Sequence, residues 1–107
     1  MQLSVRSESA RHLRLAGEVD LFTAPELAAA IDRELLSPGA DLMLDVSGLS
    51  FIDSHGIRII VETAQRLEGN GRLVLMHPSD AVSRVMEVTG IRRLPNLIVF
   101  DADLRAG

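Results

Sequence analysis

The chain contains no cysteine. That excludes disulfides, thiolate zinc sites and cysteine nucleophiles, and it suits a reducing cytoplasm. It also contains no lysine, and all 11 basic residues are arginine. We read this as codon bias in the source genome rather than as function. Acidic residues outnumber basic ones, for a formal net charge of −4. This argues against a nucleic-acid partner, because the phosphate backbone draws basic patches. No apolar run approaches the roughly 20 residues that cross a bilayer. Residues Met1 to Arg6 lack the charged-then-apolar order of a secretory leader. Composition therefore predicts a cytoplasmic chain with no membrane insertion.

What is present is core-forming, with 47% apolar residues in a chain of 107. One domain over residues 1–107 is expected, since a chain of that size buries about two-thirds of its unfolded surface. Gln2 to Arg6 and Arg11 to Leu15 alternate polar and apolar, with Leu3, Val5, Leu13 and Leu15 turned one way. Ser7-Glu8-Ser9-Ala10 joins them as a hairpin, and Gly17-Glu18-Val19-Asp20 leads out of the second strand. Thr23-Ala24-Pro25-Glu26 predicts a helix start: Thr23 caps, Glu26 closes a capping box and Pro25 fits the first turn. Leu27, Ala30, Ile31 and Leu35 share one face, and Ser37-Pro38-Gly39 stops the helix.

Leu42 to Val46 reads as a central strand, followed by a short loop and a helix from Ser54 to about Leu67. Ile57, Ile60, Val61, Ala64 and Leu67 form its apolar stripe. Glu68-Gly69-Asn70-Gly71 stops it. Leu73 to Met76 is a short buried strand. Ser79-Asp80 opens a third helix carrying Val82, Val85 and Met86, which Thr89-Gly90 ends, and Leu97 to Phe100 is the last strand. The order β-β-α-β-α-β-α-β predicts a single-domain α/β fold with a mixed, mostly parallel sheet and one antiparallel hairpin. There is no repeat, linker or low-complexity segment.

The stretch from Leu44 to Ile57 is the most informative. Asp53 and Ser54 lie where strand turns to helix. A helix N-terminus offers unpaired N–H groups and partial positive charge, so a serine there either caps the helix or carries a phosphate. Phosphorylation would add about −1.5 to −2 charges beside Asp53, and near Asp20 and Glu18, while the helix terminus and Arg58 would favour it. Helix-terminus effects of ~0.3–1 kcal/mol are small against a domain stability of ~5–15 kcal/mol, so the fold should tolerate the group. An interface centred on Ser54 should not, because it would bury an unpaired dianion.

These residues resemble the STAS domain, named for sulfate transporters and anti-sigma factor antagonists. The resemblance covers nearly the whole chain. It rests on the element order, on Gly17-Glu18-Val19-Asp20, on Leu44-Asp45-Val46-Ser47-Gly48 and on Phe51-Ile52-Asp53-Ser54-His55-Gly56, with Val88-Thr89-Gly90-Ile91 as a weaker piece. It implies that Ser54 is a phosphoacceptor, flanked by Asp53 and Asp20. It further implies an anti-sigma factor serine kinase as partner. The unmodified chain would bind that partner and free the sigma factor; phosphorylation would break the complex, and a serine phosphatase would restore it. Catalysis and cofactors are not implied, and a monomer or weak dimer is expected. A second role within the resemblance is that of a regulatory subunit of a lipid-transport ATPase, with no kinase switch.

His55 stands where most similar proteins carry Ser or Thr, and Arg58 stands where many carry a small residue. Both put a possible cation within about one helical turn of Ser54. Asp53-Ser54-His55 holds the residue types of a hydrolase triad, but neighbours on a helix point about 100° apart and cannot readily converge. His12, His55 and His77 show no ligand spacing, so no metal is expected. Ile59 lies off the apolar stripe and, with Glu18, is a candidate for the partner interface. Arg92-Arg93 reads as a solvated loop.

Overall fold

The computed structural model describes residues 2–100. Its elements are β1 (Leu3–Ser9), β2 (His12–Val19), α1 (Ala24–Glu34), β3 (Leu42–Ile52), α2 (Ser54–Leu67), β4 (Leu73–Met76), α3 (Asp80–Thr89) and β5 (Leu97–Phe100), with a 3-10 turn at Ile91–Arg93 before β5. The five strands lie in sequence order. β1 is antiparallel to β2, and every later pairing is parallel. α1 packs beside α2, and α3 packs against β3. Leu13, Leu15, Leu42, Leu44, Leu73, Leu75 and Leu97 are buried in the core that sheet and helices share. The expected element order and mixed sheet are therefore present.

Three boundaries differ from expectation. The hairpin strands run longer, with Ser9 opposite His12, so the turn is only Ala10-Arg11. Arg11 takes a positive φ of 63° there, and its N–H donates to Glu34 Oε1 at 2.6 Å, which ties the turn to α1. Gly17 to Val19 belong to β2 rather than leading out of it. The stretch Ser47 to Ile52 is not a loop but the second half of β3. Two register shifts against β2, between Arg14 and Ala16 and between Gly17 and Glu18, insert extra residues into β3. Bulges of this kind break the period-two pattern by which a strand is recognised.

α2 keeps the bounds Ser54–Leu67. Its buried face contains Gly56, Ile57, Ile60, Thr63, Ala64 and Leu67, with Thr63 taking the place expected for Val61, which is half-buried. Thr63 Oγ1 satisfies itself by donating to the Ile59 carbonyl at 2.7 Å. α3 ends as expected at Gly90, whose φ of 72° is the left-handed conformation that glycine adopts without cost.

Candidate functional site

β2 and β3 end side by side. Val19 pairs with Ile52, and the Asp53 N–H donates to the Val19 carbonyl at 3.1 Å. Asp20 and Asp53 therefore leave neighbouring parallel strands at the same edge, the carboxyl edge at which open α/β sheets place their sites. Gly56 lets α2 start this close to the sheet. A Cβ at Gly56 would lie 2.7 Å from Val19 Cγ1 and 2.6 Å from Ile52 Cγ1, both in buried side chains. The glycine thus sets the height of Ser54 above the strand ends.

Asp53 is the N-cap of α2. Its carboxylate accepts from the His55 N–H at 2.9 Å and the Gly56 N–H at 3.4 Å. This supplies two of the donors that a helix start leaves open. Ser54 is the first helical residue and is exposed, and among the described residues its hydroxyl makes no hydrogen bond. Of the two roles open to Ser54 in sequence, capping is taken by its neighbour.

His55 is exposed, with Nδ1 3.4 Å from Asp53 Oδ2. The imidazole leans on the cap rather than on Ser54, so no serine-to-histidine bond forms of the sort nucleophilic catalysis uses. Arg58 is also exposed, and its Nε pairs with Glu62 at 3.3 Å, further along the helix. Ile59 is half-buried and packs against the core beside α1, lining a small cleft with Ile31 and Thr63. The α1 side of the helix half-covers this position, which lies off the apolar stripe. Glu18 sits half-buried opposite Phe51. His12 and His77 are each half-buried on other elements, far in sequence from the corner. Among the described residues no group of three or more metal-ligating side chains forms, and no helix is long and apolar enough to cross a membrane.

Asp20 is the centre of a buried knot, with 6% of its surface exposed. Its Oδ1 accepts from the Phe22 N–H at 2.8 Å, the Thr23 N–H at 3.0 Å and the Thr23 hydroxyl at 3.2 Å. The Thr23 hydroxyl shares its one proton between Asp20 Oδ1 and the Glu18 carbonyl, which lies at 2.8 Å, and accepts from the Asp20 N–H at 3.0 Å. Burial works against the charged carboxylate, yet these donors together hold it below the ordinary 3.8. The expected capping box is absent: Thr23 occupies the N-cap position but makes no side-chain cap bond, because its hydroxyl is spent on the knot.

The knot displays two residues that sequence reasoning passed over. Leu21 is 57% exposed and Phe22 79%. Phe51, on β3 opposite Glu18, is 40% exposed. The available signal was composition: phenylalanine supplies the whole aromatic content of the chain, at 3 residues, and none lies in the buried core.

Comparison with known proteins bears on the fold and the family. Residues 3–99 match a family model described as Mlab, STAS domain. The anti-sigma-B factor antagonist of Listeria monocytogenes is 29% identical over 94 residues, covering 85% of this chain and 82% of that protein. An anti-sigma factor antagonist from Mycobacterium paratuberculosis superposes with a TM-score of 0.80 at 24% identity, covering 91% of this chain and 86% of the other. The antagonist SpoIIAA in its unphosphorylated form superposes at 0.70 with 20% identity, over 98% of this chain and 93% of that one. The phosphorylated form of SpoIIAA, from Bacillus, superposes at 0.64 with 19% identity, over 98% and 96%.

Proposed function

The chain belongs to the STAS domain family, and from that premise we propose that it is an anti-sigma factor antagonist switched by phosphorylation of Ser54. It acts as a binding module rather than as an enzyme, and its partner is a serine-kinase anti-sigma factor that it engages when unmodified. The observation that carries this reading is the free hydroxyl of Ser54 at an exposed helix start whose cap is already Asp53. Such a hydroxyl is open to a kinase, and its loss or modification disturbs no bond that holds the fold. A curated relative is called an anti-sigma-B factor antagonist, and one structural relative has been solved in both phosphorylation states.

A phosphate at Ser54 would meet an N-terminus that Asp53 has already filled with negative charge. The helix amides are shared rather than free, so the dianion adds repulsion at the surface where a partner would dock. A contact surface fails under such a change while the domain survives it. His55, next to the acceptor, is the nearest residue able to offset the charge. Glu18 and the exposed side of α2 extend the proposed interface.

A second role that the family resemblance implies is that of a regulatory subunit of a lipid-transport ATPase. The two roles separate on Ser54. Tagged wild-type chain and the Ser54→Ala variant should both retain an anti-sigma factor kinase from host lysate, and Ser54→Glu should release it. Retention of a transporter ATPase, unchanged by Ser54→Glu, would instead establish the second role.

A further inference from the structure

We propose that Phe22, with Leu21, is the apolar anchor of the partner interface, and that Asp20 serves to hold it in place rather than to flank a phosphate. This deepens the antagonist reading and rests on it for the class of partner. Exposed apolar residues occur singly on most surfaces and then need no explanation. These two are adjacent, 57% and 79% exposed, and in a chain whose core contains no aromatic ring. Nor is the loop that displays them loose. The Phe22 N–H is bound to Asp20 Oδ1, the Thr23 N–H to the same oxygen, and the Ala24 N–H to the Asp20 carbonyl at 2.8 Å. A buried carboxylate therefore fixes the backbone on both sides of a ring that solvent surrounds. Ordering a loop in advance removes a cost that binding would otherwise carry, and buried aromatic anchors of this kind dominate interface energetics.

Charge selects the occupant. The anchor rises from a strand edge that also carries Glu18 and Asp53, with Glu26 exposed in the first turn of α1. An anionic lipid surface would be repelled there, and so would a second copy of this net-acidic chain. What fits is a protein that offers an apolar cup rimmed by arginine or lysine. The anchor also adjoins the switch, because Asp53 is hydrogen-bonded to Val19, one residue before Asp20. One partner surface can thus cover Phe22 and sense the charge on Ser54.

The test places the photo-crosslinking residue p-benzoylphenylalanine at position 22 of the full chain in its host, then purifies the protein that it captures. Affinity is measured by anisotropy for wild type, Phe22→Ala, Asp20→Ala and Leu36→Ala, with folding followed by circular dichroism. Leu36, exposed just past the C-terminal end of α1, is the control. Phe22→Ala should weaken binding roughly tenfold or more, and Leu36→Ala by less than about twofold. Asp20→Ala should weaken binding in the wild-type background and add nothing to Phe22→Ala. Equal affinities for wild type and Phe22→Ala would overturn the proposal. So would a crosslink only to lipid or to a second copy, or no crosslink at all. Ser54→Glu measured on the same partner keeps the two ideas apart: if it binds normally while Phe22→Ala does not, the anchor stands and the phosphorylation switch falls.

Discussion

Two serines mark strand-to-helix corners in this molecule, and they do opposite things. Before α3 the order is Ser79-Asp80; before α2 it is Asp53-Ser54. In each case the first residue of the pair becomes the cap. Ser79 Oγ accepts from the Val82 N–H at 3.3 Å and donates to the Leu49 carbonyl at 2.6 Å, so its hydroxyl is fully occupied and joins α3 to β3. At α2 the carboxylate of Asp53 takes the corresponding bonds and leaves Ser54 free. A one-residue exchange of order therefore decides whether a hydroxyl is structural or available for chemistry.

The comparison can be broken most completely at the acceptor. Incubation with the partner kinase should phosphorylate wild type on Ser54, and Ser54→Ala should lose that phosphorylation entirely while its stability stays within about 0.5 kcal/mol of wild type. Peptide mass mapping and thermal melts read both. Next in size is Gly56→Ala. It places a methyl group against Val19 and Ile52 and should cost about 1–3 kcal/mol in a urea titration. Ser79→Ala removes a cap and a bond to β3 and should cost about 1–2 kcal/mol. If its cost matched that of Ser54→Ala, the contrast between the two serines would be lost.

The smallest effect concerns Asp45, buried mid-strand. Burial alone would raise its carboxyl, but the Ser47 N–H at 3.0 Å, the Ser47 hydroxyl at 2.7 Å and the charges of Arg14 and His77 hold it below 3.8. A lowered folded value means that its stabilisation is complete above the unfolded value near 3.8 and is lost as pH falls through the folded one. Asp45→Asn should therefore flatten the acid limb of a stability–pH curve below about pH 4 and leave the rest of its shape unchanged.

The element order and the bounds of α2 were legible because long periodic segments carry their own signal. The second half of β3 was not. Ser47, Gly48 and Ser50 read as loop, and only pairing with β2 across two register shifts makes them strand. Local chemistry also misled at the helix starts. Thr23 and Ser54 have the side chains that caps favour, but each lost the role to a tertiary arrangement or a neighbour: Thr23 to the Asp20 knot and Ser54 to Asp53. Phe22 escaped notice because exposure is a property of the fold and leaves no mark in spacing. Ile59 lies off the helix's apolar stripe in the sequence, and only the packing of α1 beside α2 half-covers it.

The most direct measurement is a phosphate map of the intact chain, isolated from its host with phosphatases inhibited, by whole-protein mass and peptide sequencing. The free hydroxyl at Ser54 predicts a single phosphate on Ser54 in part of the pool, and none on Ser79. An unmodified Ser54 across growth and stress, or a phosphate on Ser79 in its place, would contradict the assignment of the switch.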